Sequence, residues 1–356
     1  MPITASLCPT KRLGVILRPT SVMNHRVRAL LILAAAAAGL LPGIAAPGQT
    51  PPQHTGTYAT SVREAALYVG ASESSERLAT IAPGREMVIA ETSGEWLRVF
   101  ANTDHQEDSS QDAAVFGEQA PPPVSGWMKD KGIVRADTAK GDDILFGVAA
   151  NLEDQASEAN APHGSAQSAR LLYERVASIF PQSPRAAEAA WRSGDIRWQL
   201  EKADVFSRPS AHEKESYLRQ QIDEEELKKL EKKYPHTKWA DLAAYDRLDN
   251  KICGDWQGST KCPEKESEMY LKYVEEHPES PKAAEALYKA VWRQSSMGDM
   301  YAADNDGKKS DEARAKAKEL AARLAARYPQ SDYAARAAGL VYKLEQAIPI
   351  YGSDRE

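Results

Sequence analysis

Cysteine is scarce in this sequence, with three residues in 356, at positions 8, 253 and 262. That excludes a disulfide-dense scaffold and leaves no CxxC pair for a structural zinc. Histidine is thin as well. Its seven residues are scattered, and none forms a ligand pair four residues apart. The stretch "HEKES" at 212–216 begins like a helical zinc-protease motif, but Ser216 stands where the second His is required. Neither a GxGxxG fingerprint nor a phosphate-cradling glycine loop occurs. Basic excess is also missing: 45 Lys and Arg face 51 Asp and Glu, a formal charge of −6. A net acidic body has no electrostatic footprint for nucleic acid or anionic lipid. The carboxylate clusters "DEEEL" (223–227) and "EDQASE" (153–158) read as solvated helix faces rather than acid–base pairs. The chain is therefore expected to be no enzyme and to carry no cofactor and no metal site.

What is present begins with an export signal. Met23 opens a basic stretch (Arg26, Arg28), an apolar core follows at Ala29–Leu41, and Pro42–Gly43 break it. Gly43 and Ala45 are small residues at −3 and −1 of a cleavage site after Ala45. Residues 1–22 read as an over-extended start. A cleaved signal is favoured over an uncleaved anchor, because the run is short, Ala-rich and followed by prolines. No Cys follows the apolar core, so a lipoprotein signal is excluded. Residues 1–45 hold five basic side chains and no acid, so cleavage leaves 40 basic against 51 acidic side chains, a formal −11. The expected location is periplasmic or secreted, without stable membrane insertion after cleavage. An exported chain with only Cys253 and Cys262 left suggests a disulfide, with free thiols or a metal site as the weaker readings. Such a loop is worth about 2–3 kcal/mol by chain entropy.

Residues 46–57 are a Pro/Gly/Thr tether. From 58 to 137 short β-type runs ("ALYVG", "REMVIAET", "EWLRVFA") alternate with turn signals ("SESSE", "APG", "SGE"). An acidic, Pro-rich insertion at 102–124 is too polar to pack. The matches Leu67–Val69, Pro83–Gly84, Gly94-Glu95-Trp96-Leu97-Arg98-Val99 and Gly126-Trp127-Met128 resemble the bacterial SH3 domain family over about 80 residues. The resemblance implies a small β-barrel and a module that recognises peptidoglycan peptides. The chain departs from the pattern at the opening strand, where Tyr68 and Gly70 stand, and in the insertion after Val99. Trp96 and Trp127 are most simply read as core or rim aromatics closing the barrel. With Tyr68 they are also the candidate ligand-facing aromatics. A cell-wall peptidase cysteine, which often accompanies this family, would need its own domain, and nothing after residue 137 supplies one.

Beyond residue 137 the pattern turns helical, from a first amphipathic run at "DDILFGVAANLEDQASEA" onward. Four times a helical run ends in an aromatic or His, then Pro, then Ser or Thr two residues later, then an Ala-rich run. The corners are Pro181/Ser183, Pro235/Thr237, Pro278/Ser280 and Pro329/Ser331. Pro disfavours helix in the residue before it, and the hydroxyl sits where an N-cap belongs. Leu172, Val176 and Ile179–Phe180 in the first unit, and Tyr270, Tyr273 and Val274 in the third, mark the inward face of the helix before the corner. The unit resembles the exported tetratricopeptide repeat, in particular the periplasmic helical-repeat proteins of outer-membrane assembly and of the Tol-Pal system. Corner prolines lie 54, 43 and 51 residues apart, so insertions or long helices are expected between units. Asp249 or Asn250 replaces the usual glycine in unit two.

The fold class expected is thus α+β by separate domains, a small SH3-like β-barrel followed by an α-helical TPR-like solenoid (138–349) and a polar tail (350–356). Its expected role is a non-enzymatic envelope scaffold: the repeats bind an envelope protein and the SH3-like module adds a second contact. The alternative is a peptidoglycan-binding protein acting through that module. Ten repeat aromatics (Tyr173, Phe180, Trp191, Trp198, Trp239, Tyr245, Tyr270, Tyr273, Tyr288, Trp292) are expected mostly to pack between helices, with a subset free to face a ligand.

Overall fold

The computed structural model describes residues 56–103 and 122–352. The signal segment with Ala45, most of the tether, the body of the insertion (104–121) and residues 353–356 lie outside the described residues. The chain is α+β, with strands first and helices after. Seven strands, β1 (Thr57–Ser61), β2 (Ala65–Tyr68), β3 (Arg77–Ile81), β4 (Glu86–Ser93), β5 (Trp96–Ala101), β6 (Val124–Lys129) and β7 (Ile133–Arg135), form one antiparallel sheet. Their order is β3-β2-β6-β5-β4-β1-β7.

Side-chain alternation decides what the sheet buries. Leu97, Val99 and Ala101 of β5 and Met128 of β6 point into an aliphatic cluster with Leu67, Ile81 and Met87. Trp96 and Trp127 sit one residue away from those positions, so period two turns both to the opposite face. Neither joins the core, so of the two expected roles, core or rim, the core one is excluded for both. Gly126 is needed where β2 crosses β6, since a Cβ there would lie 2.7 Å from Leu67 Cγ and 2.8 Å from the Tyr68 carbonyl.

Nine α-helices follow among the described residues: α1 (Gly141–Ala156), α2 (Ser165–Ile179), α3 (Ala186–Ser207), α4 (Glu225–Lys233), α5 (Lys238–Asp246), α6 (Lys261–Glu276), α7 (Ala283–Ala303), α8 (Gly307–Arg327) and α9 (Asp332–Glu345). The four proline corners join α2 to α3, α4 to α5, α6 to α7 and α8 to α9. The residues before the prolines (Phe180, Tyr234, His277, Tyr328) share one backbone conformation, φ −120 to −128° and ψ 54 to 60°. Each still donates its N–H to the carbonyl four residues back. The helix therefore closes its last turn before the proline forces the chain out of α geometry.

Thr237 and Ser331 are side-chain N-caps, accepting from the N–H of Ala240 and Tyr333. Ser183 and Ser280 stand three residues ahead of α3 and α7. Their carbonyls accept from Ala186 and Ala283 in a tighter first turn, and their hydroxyls accept from Arg185 and Lys282. Pro184 and Pro281 thus occupy that lead-in turn rather than the α-helix itself. Thr237→Ala is expected to cost about 0.5–2 kcal/mol, read as a shift in urea midpoint, because α5 loses its cap. An unchanged midpoint would remove Thr237 from the corner's support. The long spacing between corners is mostly helix. α3 runs through "ADVFS" to Ser207, and α7 runs through "GDMYAA" to Ala303, leaving only 304–306 as the turn to α8.

The sheet does not stand clear of the helices. Val134 of β7 is buried in one cluster with Leu145, Phe146, Leu172, Tyr173 and Val176, with Val62 packed against it. Gly84, at φ +84°, presses on α2, where a Cβ would lie 2.9 Å from Leu171 Cβ. The Arg175 Nε donates to the Gly84 carbonyl at 3.2 Å. Farther along, Trp198, Leu227, Leu230 and Ala243 make a second helical cluster, and Tyr270, Tyr273, Val291, Leu320 and Leu340 a third.

Candidate interaction faces

On the face of the sheet opposite its core, Tyr68, Trp96 and Trp127 are all half-buried. Tyr68 pairs across the strands with Trp127, and Trp127 with Arg98; Trp96 pairs with Lys129. The Tyr68 and Trp96 rings meet edge to face at 5.9 Å, and the Lys129 ammonium lies 5.5 Å from the Trp96 ring centre. Glu73 and Glu95 draw on Lys129 at 2.9 and 3.7 Å, and its pKa is raised chiefly by the Glu73 hydrogen bond. The three aromatics named from sequence are thus brought together as a ridge flanked by charge.

A second face runs along the helices that follow the corners. On α3, Trp191, Asp195, Trp198 and Lys202 are spaced four, three and four residues apart, one stripe of a helix. Trp191 stacks on Trp239 of α5 at 5.3 Å and donates its indole N–H to Asp246 at 3.4 Å. Trp198, fully buried, donates to Asp249 at 3.3 Å, and Lys202 pairs with the same carboxylate at 2.7 Å. To one side Arg192 reaches Glu153 at 2.7 Å, and the Tyr173 hydroxyl donates to that carboxylate at 2.7 Å. To the other, Glu285 of α7 accepts from Tyr245 at 2.9 Å and from Lys282 at 2.7 Å.

Electrostatics along this face are uneven. Burial pushes the Tyr173 hydroxyl up, with help from Glu153. Burial also raises Glu285, but Lys282 and Tyr245 reverse that and hold it below the usual range. Asp195 and Asp246 behave otherwise. Burial raises both, and with the added charge of Asp195 the Asp246 carboxyl is pushed up to about 8. No salt bridge to Asp195 or Asp246 stands among those of the described residues.

Cys253 and Cys262 meet with sulfurs 2.16 Å apart and Cα atoms 6.0 Å apart. Next to them lies an ion pair that sequence reading missed. Glu266 of α6 and Arg293 of α7 meet at 2.7 Å with side chains 1% and 2% exposed. The signal was there in pattern: Glu266 shares the apolar stripe of Tyr270, Tyr273 and Val274, where a charge needs a partner. Of the repeat aromatics, Tyr173, Trp198, Tyr270, Tyr273 and Tyr288 are buried, and Phe180, Trp191, Trp239, Tyr245 and Trp292 keep partial exposure. Among the described residues, no cluster of three or more His, Cys, Asp or Glu is placed to hold a metal ion, and no helix is long and apolar enough to cross a membrane. A scan against protein families finds no match, and no curated protein matches the chain.

Proposed function

We propose that the chain is a non-enzymatic scaffold of the cell envelope. In this reading the helical region is a tetratricopeptide-like array that holds a protein segment across α3, α5 and α7, and the sheet is an SH3-like module that adds a second contact. The observation that carries it is the row of half-buried aromatics and charges crossing three successive post-corner helices. Side chains of that kind, partly desolvated and fixed by hydrogen bonds, are pre-organised for contact. Stacked helix pairs present extended surfaces of this type without reaction chemistry. The disulfide and the signal-like N-terminus support an exported location.

The ridge of Tyr68, Trp96 and Trp127 favours a second reading, in which the sheet binds peptidoglycan and the helices recruit a protein. Two variants separate the readings in mature protein (46–356): Trp127→Ala on the sheet and Trp239→Ala on the helices. Each is tested for sedimentation with purified sacculi and for capture of solubilised envelope proteins. Under the scaffold reading, Trp239→Ala loses the captured protein and Trp127→Ala keeps most of it. Sedimentation with sacculi that Trp127→Ala abolishes makes the wall the ligand. If neither variant changes either result, both faces lose their assigned role.

A further inference from the structure

The segment that follows α9 lies along α7 as a bound peptide would. Trp292, Ser296 and Asp299 of α7 are spaced four and three residues apart and share one face. Oδ2 of Asp299 accepts from the N–H groups of both Ile350 and Tyr351, at 2.6 and 3.1 Å. Its other oxygen accepts from Arg314 of α8 at 3.3 Å, which fixes the carboxylate. Ile350 is fully buried in the third helical cluster, so the expected polar tail begins with an anchored residue. The Tyr351 ring stacks on Trp256 at 6.1 Å and 6°, and Trp256 in turn packs on Trp292 at 5.2 Å. Main-chain hydrogen bonds combined with side-chain pockets are how extended peptides are recognised.

We propose that 348–352 is a stand-in held in a peptide groove, and that an extended segment of a partner protein, carrying an aliphatic residue followed by an aromatic one, displaces it. The groove begins seven residues along α7 from Glu285 and is independent of the role proposed for the row that crosses α3, α5 and α7.

The present occupant fits the groove incompletely. Ala347, in its lead-in, is left-handed at φ +52°, a costly conformation for a residue with a Cβ. Ile348 and Tyr351 stay 44% and 37% exposed. Among the described residues, the buried hydroxyl of Ser296 and the buried indole N–H of Trp292 have no hydrogen-bond partner, although they share the face on which Asp299 holds the segment. Buried polar groups are rarely left so. A partner segment that places an acceptor over them gains bonds that 348–352 leaves unmade. Ordering a short extended segment also costs conformational entropy at every residue. The present occupant offsets that cost chiefly through Ile350, Asp299 and Trp256.

The test uses the full chain and a fluorescein-labelled peptide of the sequence 346–356, read by anisotropy. Ile350→Asp in the chain is expected to eject the native segment and to bind the peptide at least about tenfold more tightly than the wild type, whose own segment competes at high local concentration. Adding Asp299→Ala should abolish that binding. Hydrogen exchange on the wild type reads the same displacement without a variant, and decides alone if Ile350→Asp does not fold. The amides of Ile350 and Tyr351 should exchange at least about tenfold faster than that of Val291, and faster still with unlabelled peptide in excess. Among peptides carrying Ile348→Ser, Ile348→Asn or Ile348→Gln, at least one should bind about threefold better than the native sequence, by reaching Ser296 or Trp292. Amides at 350 and 351 as protected as Val291, or no peptide bound by a folded Ile350→Asp chain, would make 348–352 a fixed part of the core and overturn the proposal. If no substituted peptide exceeds the native sequence, a partner has no advantage over the segment in place, and its displacement is overturned. Wild-type chain that dimerises with rising concentration, and is split by the peptide, would make a second copy the occupant and overturn the partner assignment.

Discussion

Glu266→Ala lowers stability by about 3–5 kcal/mol, the expected cost of taking the Glu266 carboxylate away from the buried Arg293 guanidinium. Arg293 is 1% exposed as a residue, and its Nε points at the Glu266 carboxylate at 2.7 Å. The Tyr270 ring, 4.7 Å away, covers the guanidinium and leaves little room for water to replace the lost oxygen. The same substitution strips the acceptor from Cys253 and Trp256. Glu266→Leu combined with Arg293→Met, which removes both charges and keeps the volume, is expected to recover most of the loss. Urea midpoints of the two single variants and the double variant decide it. A double variant as weak as the sum of the singles would mean the pair acts only through packing.

The second large effect is one of pH. Asp246 is held at about 8 by burial and by Asp195 opposite, with Trp191, Asp249 and Lys282 as its other neighbours. The folded chain thus keeps a proton that the unfolded chain sheds near pH 4. Below pH 4 the carboxyl is protonated in both states and contributes nothing. From 4 to 8 each pH unit favours the unfolded state by about 1.4 kcal/mol, and above 8 the full penalty applies. The integrated loss is on the order of 5 kcal/mol, shared with Asp195, whose pKa is raised as well. Asp246→Asn keeps an acceptor for Trp191 and cannot ionise. It should match the wild type near pH 4 and exceed it by about 2–5 kcal/mol at pH 9. Parallel stability profiles from pH 4 to 9 would show that Asp246 ionises freely in the fold.

The corners were legible because their cause is local. A proline restricts the residue before it, and a hydroxyl two residues later answers free N–H groups whatever packs around them. Strands β2, β4 and β5 were legible for the same reason, since alternation needs no knowledge of partners, whereas β1 and β3 carried no such run. Trp96 and Trp127 were left open between core and rim, although Leu97, Val99 and Met128 carried the parity that turns them away from the core. The sheet fills its interior with aliphatics and methionines and leaves no place there for an indole. The carboxylate pairs were hidden by distance. Glu266 meets Arg293 across 27 residues, and Trp191 meets Asp246 across 55. Such meetings depend on how two helices register, and a chain rich in Glu and Lys offers many equal candidates. The packing of Val62 and Val134 among α1 and α2 was equally out of reach, because it depends on how the end of β1 and the short β7 meet helices far along the chain.

The seat of Gly84 on Leu171, tied by Arg175, bears on how the chain would handle a ligand that reaches both faces. Two modules on a slack tether meet such a ligand at a local concentration set by tether length, and tolerate many spacings. Here the aromatic ridge and the helical row belong to one packed body, so the span between them is fixed. A bivalent ligand of matching length gains the second contact with almost no further loss of freedom, and one too short or too stiff gains none. Avidity in this protein would therefore act as a ruler, selecting partners by the distance between their two binding elements.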